Sequence, residues 1–356
     1  MSLPTRFGRC HPIHCILPPY LLQNLARNGP PDLRNIALEV LALDSTIRSN
    51  RIICSMMETG AHPALAAVAK HRTVYTANNS TTLPGQVVRV EGQASSGDAA
   101  VDEAYDGLGA TFDFYFDIYQ RNSIDDEGLY LDATVHYGQR YDNAFWNGQQ
   151  MVFGDGDGEL FQRFTISLDV IGHELTHGVT DSEAALVYSG QSGALNESIS
   201  DVFGSLVKQY QLKQTAEQAD WLIGAGLFTD RVQGVALRSM KAPGTAYDDP
   251  LLGKDPQPAK MGDFVETSED NGGVHINSGI PNRAFYLAAT KIAGYAWEKA
   301  GRIWYETLRD TSLTQTTNFS RFAARTVINA GHLYGTSSAE RQAVIEAWNE
   351  VEVRVV

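Results

Sequence analysis

The stretch Val170-Ile-Gly-His-Glu-Leu-Thr-His-Gly178 constrains this chain more than any other. Its two histidines, His173 and His177, are four residues apart. A helix turns once per about 3.6 residues, so that spacing puts both imidazoles on one face, where they can grip one metal ion. The pattern around them predicts a helix over about 165–180. Glu174, beside the first histidine, stands where a carboxylate could take a proton from a water polarised by that metal. The same string also occurs on ordinary amphipathic helices, so its surroundings decide. A hydrolytic zinc site takes three protein ligands and keeps a fourth position for water. The next helix-like stretch, 192–201, offers Glu197 as the third ligand, with Asp201 one turn further along the same face. A ligating histidine commonly donates its second N–H to a carboxylate, so Asp201 is the expected partner of His173. Without the histidine pair upstream, both carboxylates would read as capping or surface groups.

Four stretches recur in a fixed order: Asn143-Ala-Phe-Trp-Asn-Gly148 with Phe153-Gly-Asp-Gly-Asp-Gly158, then 173–181, then 192–201, then Asp270-Asn-Gly-Gly-Val-His-Ile-Asn-Ser-Gly279. In this order they resemble the thermolysin family of zinc endopeptidases, over about residues 73–356. The resemblance implies an α+β fold of two lobes, β-rich over 56–181 and α-helical over 182–356, with the two-histidine helix between them. It implies one catalytic zinc on His173, His177 and Glu197, with Glu174 as the base and Tyr188 and His275 stabilising the oxyanion. Asp270 would orient His275. Asn143 and the backbone of Ala144 would hold the substrate main chain by strand addition, and Arg238 would contact a substrate carbonyl. Val170, Ile223, Leu227 and Leu237 match the pocket for the residue just after the scissile bond. All four are apolar, which favours Leu, Ile, Val or Phe there.

Residues 1–55 read as a separate small helical element. Pro18-Pro19 breaks the chain, a short helix is expected over 21–27, and a second over 32–46 carries Leu33, Ile36, Ala37, Val40 and Leu41 at amphipathic spacing. Such a piece needs a surface to cover. Its Pro-Pro-Tyr leader resembles that of the protealysin-like subgroup, which implies an inhibitory or folding-assisting prosegment and a protein made as a zymogen. The alternative is a permanent helical extension. Cys10, His11, His14 and Cys15 could in principle reach the metal, although ordinary packing is the stronger reading. The expected partners are peptide or protein substrates and the chain's own prosegment.

One departure from the family concerns calcium. Asp169 and Asp220 match two ligands of its double calcium site, but Lys208 and Ala225 stand where two acidic ligands would be. Calcium takes roughly six to eight oxygens and an ammonium offers none, so the double site is expected to be lost. Lys208 would instead neutralise Asp169 or Asp220. Val235 likewise stands where a further calcium ligand would be. The acidic Asp155-Gly-Asp-Gly158 string lacks the spaced oxygens of an EF-hand and reads as a glycine-dependent turn.

Composition sets the remaining bounds. Lys and Arg number 28 against 42 Asp and Glu, a net charge of −14 over 356 residues, which excludes a nucleic-acid binder that works through clustered bases. No apolar run reaches the length of about 20 residues that spans a bilayer. The start carries no evident signal peptide, since Ile16-Leu17 is cut short by Pro18-Pro19. A cytoplasmic start, or release by a route without a signal peptide, is therefore expected, and a monomer suffices. A non-catalytic binding protein with a structural zinc would close four ligands and have no use for Glu174. An aminopeptidase would need a group to capture a free amine, and none is identifiable.

Overall fold

The computed structural model describes residues 14–55 and 69–355, with only the backbone described for His14 and residues 48–55. Its elements place a mixed sheet before a set of helices, and the α+β expectation holds. The chain enters as a short strand, β1 (His14–Cys15), and turns into α1 (Pro19–Asn28) and α2 (Pro31–Ser55). Pro19 opens α1 rather than excluding a helix, because an N–H at the first helical position has no intrahelical acceptor, so proline loses no bond there. The second helix runs nine residues past the expected end at 46. Leu21, Leu22, Leu25, Leu33, Ile36, Ala37 and Val40 are buried, so this segment covers a surface as its pattern requires.

The strands β2 (Arg72–Thr76), β3 (Gln86–Val90), β4 (Leu131–Val135), β5 (Ala144–Trp146) and β6 (Met151–Phe153) join β1 in one sheet of order β1-β5-β6-β4-β2-β3. Helix α3 (Ala99–Tyr119) packs beneath it, its first turn capped by Asp98, whose Oδ1 accepts from Ala100 N at 2.9 Å. The strand expected to take a substrate main chain by strand addition, β5, is only three residues long. It is not an edge in the intact chain, because β1 pairs with it antiparallel, His14 opposite Trp146 and Cys15 opposite Phe145.

Two helices form the centre, α4 (Leu168–Ser182) and α5 (Gly190–Leu212). The expected helix start at 165 is a single 3₁₀ turn over Phe164–Ile166 that precedes α4. Nearly every α4 residue is buried, as in a helix enclosed on all sides. Glycine lets the pair approach closely: a Cβ on Gly204 would sit 2.3 Å from Asp169 O and 2.9 Å from His173 N. Two short ribbons follow, β7 (Leu222–Ile223) with β8 (Arg238–Ser239), and β9 (Asp248–Asp249) with β10 (Gly253–Lys254). Then come α6 (Asp270–Asn277), α7 (Gly279–Ile292), α8 (Ala300–Leu308), α9 (Phe319–Tyr334) and α10 (Ala339–Glu350). Asn318 and Ser338 cap the last two, accepting from Arg321 N and Arg341 N.

His136 has a role that the sequence did not suggest. Its ring is held between Asp155, at 2.8 Å from Nδ1, and the α3 cap Asp98, at 3.0 Å from Nε2. The hydrogen bond to Asp155 is the main cause that lifts its pKa to about 9, against partial burial. A raised histidine contributes stability that is complete below its unfolded pKa of about 6.5 and is lost as pH climbs through about 9. Thermal melts of wild type and His136→Asn should therefore differ at pH 6 and converge by pH 10; a constant difference would refute the clamp. Gly204→Ala should cost roughly 1–3 kcal/mol in urea titrations, as overpacking forces α4 and α5 apart. An unchanged midpoint would mean that the helices have slack.

Candidate metal centre and cleft

The close approach of α4 and α5 brings three ligands together. His173, His177 and Glu197 offer one donor atom each, all within 4.8 Å of one another. The two Nε2 atoms are 3.0 Å apart, and each lies 3.5 Å from an oxygen of Glu197. Their other nitrogens are engaged: His173 Nδ1 with Asp201 at 2.8 Å, and His177 Nδ1 with Asn196 Oδ1 at 2.8 Å and Ser200 Oγ at 3.0 Å. Acceptors at Nδ1 hold the proton there and leave the Nε2 lone pairs to face each other, an arrangement that two neutral imidazoles do not favour without a cation between them. Glu174 Oε1 and Glu197 Oε2 are also buried without a hydrogen-bond partner. Burial and then the charge of Glu197 push the Glu174 carboxyl well above the usual range. A divalent cation would offset both effects, and an N,N,O donor set of this kind fits zinc.

Glu174 is held from the sheet. Its Oε2 accepts the backbone N–H of Trp146, on β5, at 3.0 Å. Asp201 is fully buried, and it bonds more than His173. Arg238 reaches it through two bonds of 2.8 Å, and Asn282 Nδ2 adds a third at 2.8 Å. Despite burial, the Arg238 charge and the His173 bond hold this carboxyl well below its usual range. The arginine thus makes the structural ion pair and still has Nη1 free to reach the cleft.

The opposite wall carries His275. Four successive residues with positive φ, Asp270 to Gly273, turn the chain so that Asp270 takes both the His275 backbone N–H, at 2.9 Å, and ring Nδ1, at 2.7 Å. Asp270 and Glu197 raise the His275 pKa in spite of burial. The Tyr188 hydroxyl lies 3.2 Å from His275 Nε2, but its donated bond goes to Glu197 Oε1, so it rests on a ligand rather than on a carbonyl in the cleft. Val170, Ile223, Leu227 and Leu237 are all buried, and the last two converge where a Gly224 Cβ would sit, 2.9–3.0 Å from each.

The N-terminal segment runs through this cleft. Ile16 N donates to Ala144 O at 3.1 Å, and Leu17 N to Asn143 Oδ1 at 3.0 Å. Arg238 Nη1 donates to Ile16 O at 3.2 Å, and His275 Nε2 lies 3.1 Å from Cys15 O. From α2, Asp44 accepts Tyr141 OH at 2.5 Å and Asn143 Nδ2 at 3.0 Å. Asp44 was missed in the sequence, although a signal existed: it stands one turn beyond Val40, on the apolar face of its helix. A thiol on the metal was another reading. Cys15 lies outside the ligand set, and it faces Tyr141, whose phenol it helps to push up after burial and Asp44. Cys10 and His11, and the side chain of His14, lie outside the described residues.

Lys208 does what its position suggested. Its ammonium bonds Asp169 Oδ2 at 2.6 Å, Asp220 Oδ1 at 3.0 Å and Leu222 O at 2.8 Å, which uses all three donors. Burial alone would lower its pKa, but Asp169 and then Asp220 raise it overall. In the Asp155–Gly158 turn, Asp157 Oδ1 accepts three backbone N–H groups, from Glu159, Leu160 and Phe161.

Paired histidines, a buried glutamate and a strand edge that takes a peptide main chain together define a metallopeptidase. The model of the thermolysin metallopeptidase catalytic domain matches residues 46–181, and that of the alpha-helical domain matches 184–353. The chain is 55% identical to an extracellular metalloprotease of Pectobacterium carotovorum subsp. carotovorum, over 98% of each. It is 43% identical to a thermolysin of a Bacillus species, over 78% of this chain and 50% of that one. Among solved structures, the precursor of protealysin, a metalloproteinase from Serratia proteamaculans, superimposes with a TM-score of 0.88 at 56% identity, covering 96% of this chain and 99% of that one. The chain belongs to the thermolysin family of zinc metalloendopeptidases.

Two outcomes are expected. Asp201→Asn should weaken zinc binding roughly 10–100-fold in a chelator competition, since both His173 and Arg238 lose their anchor. Adding calcium should leave the melting temperature unchanged, because Lys208 occupies the space between Asp169 and Asp220; a large calcium-dependent rise would refute this.

Proposed function

We propose that this chain is an endopeptidase held as a zymogen by residues 1–55, that it cuts before apolar residues, and that it acts outside the cell. The observation that carries this reading is the segment Cys15–Leu17, whose main chain is bonded along β5 with its carbonyls met by Arg238 and His275. A site that binds its own backbone in this way can bind any extended peptide, since main-chain bonds are independent of sequence. Two lobes, 56–181 and 182–356, would then face each other across this cleft.

In this reading His173, His177 and Glu197 hold the zinc. Bound there, the metal would supply a Lewis acid that polarises the scissile carbonyl and acidifies water. Glu174, anchored through Oε2 to Trp146 N, has Oε1 left to accept a proton from water and pass it to the leaving nitrogen. His275, oriented by Asp270 at Nδ1, donates to the developing oxyanion from Nε2, and Tyr188 joins it by turning from Glu197. Asn143, Ala144 and Arg238 align the main chain, and Asp201 positions both Arg238 and His173. Val170, Ile223, Leu227 and Leu237 receive the side chain that follows the cut, which favours Leu, Ile, Val or Phe. The Pectobacterium relative's name supports an extracellular site of action.

The test uses protein trimmed by added trypsin and a quenched peptide. Wild type should cut before Leu, and replacing that Leu by Asp should lower kcat/KM by about 10²-fold. Glu174→Ala should keep its zinc and lose activity, whereas His275→Ala should lose about 10²–10³ in kcat. A Glu174→Ala protein that retains a tenth of wild-type turnover would sink the assignment.

A further inference from the structure

We propose that Cys15–Ile16 is the peptide bond that this chain presents to its own catalytic groups, so that its first self-cleavage falls there and not at the far end of the segment. The inference rests on the endopeptidase reading above and names that site's first substrate.

Four contacts fix the register. The carbonyl beside His275 Nε2 belongs to Cys15, at 3.1 Å. The next amide nitrogen, Ile16 N, donates to Ala144 O at 3.1 Å, and the carbonyl after it is taken by Arg238 Nη1 at 3.2 Å. Leu17 N then reaches Asn143 Oδ1 at 3.0 Å. The carbonyl held by the oxyanion donor therefore precedes Ile16, and Ile16 is the residue that the apolar pocket should receive. Both Ile16 and Leu17 are fully buried. The pairing continues upstream, with His14 opposite Trp146, the residue whose N–H anchors Glu174. A slip by one residue would reverse every side chain and bring Cys15 to the pocket in place of Ile16.

The step balances with water as the only co-reactant. The water oxygen bonds to the Cys15 carbonyl carbon and the bond to Ile16 N breaks. Glu174 carries the proton from water to that nitrogen. The products are a carboxylate ending at Cys15 and a new amino terminus at Ile16, with no change of oxidation state.

The far end of the segment offers no such substrate. Helix α2 stays helical to Ser55, so its backbone donors and acceptors are engaged within the helix and cannot add to β5 as a strand. A cut within α2 therefore requires unwinding or another molecule. The cut at Ile16 leaves in place the bonds to Arg238, Ala144 and Asn143 and the buried Leu21, Leu22 and Leu25, so the nicked segment stays bound as a product.

The experiment incubates full-length protein with zinc at two concentrations about tenfold apart and follows it by intact mass and N-terminal sequencing. A trypsin-treated aliquot is assayed in parallel on the quenched peptide. The first new species should begin at Ile16, with a matching 1–15 fragment, and its rate constant should not change on dilution. Glu174→Ala should stay intact while hydrogen exchange shows the Ile16 and Leu17 amides protected. Ile16→Asp, checked by thermal melting, should slow the nick about tenfold or more. A first cut elsewhere, a rate that scales with concentration, or unprotected Ile16 and Leu17 amides would overturn the proposal, and peptide cleavage by the trypsin-treated aliquot would leave the endopeptidase reading standing. If neither the peptide nor the chain is cut, the endopeptidase reading falls and this inference with it.

Discussion

The buried carboxylate of Asp201 is the contact on which the cleft depends. It accepts from His173, Arg238 and Asn282, three side chains from three separate parts of the chain. A carboxylate buried alone would take up a proton, but its cationic and N–H partners keep this one charged. The arrangement couples two tasks. The ring that turns Nε2 toward the metal position and the guanidinium that meets a peptide carbonyl are set by the same two oxygens. Their separation is then a property of a rigid, fully bonded cluster, not of flexible surface side chains. The cluster can form only because Gly172 and Gly204 let α4 and α5 meet closely enough for His173 to reach across.

The second constraint comes from the sheet edge. A strand such as β5 with unpaired N–H and C=O groups will accept any extended chain, which is useful for binding peptides and a hazard before it is wanted. The intact chain meets this by pairing β5 with its own β1. Asp44 extends the cover, since it takes up the Nδ2 group of Asn143, leaving that amide's Oδ1 for Leu17 and Ala144.

Much of the site was legible because local spacing encodes it. The pairs His173/His177 and Glu197/Asp201 each share a face by helical period alone, and the residues downstream of them are ordered as in the family. Boundaries were less so: α2 runs to Ser55, nine residues past the end that its apolar spacing suggested. The register of β1 was not legible at all. Two residues of strand carry no alternation to read, and their pairing is decided by Arg238 and His275, more than 200 residues away. The Lys208 substitution was readable as chemistry, since a cation between two carboxylates has few other uses, but its third bond, to Leu222 O, depends on tertiary placement. Asp44 lies between these cases. Its position on an apolar face flags a buried partner, and only the fold says that the partner is Asn143.

Tethering explains why a segment with so few direct polar contacts to the cleft can occupy it. A covalently attached strand meets its site at an effective concentration on the order of millimolar, so modest intrinsic affinity keeps the cleft filled. The buried leucines of α1 and the apolar face of α2 add to that affinity without touching the catalytic groups. Occupancy therefore hinges on the connection between α2 and the following strand β2, not on the contacts in the cleft. Severing that connection turns an intramolecular equilibrium into a bimolecular one and lets dilution empty the site. A break between Cys15 and Ile16 leaves the connection whole and the site filled. In the proposed scheme nicking and release are thus distinct events: the cleft geometry would govern the first, and a break between α2 and β2 the second.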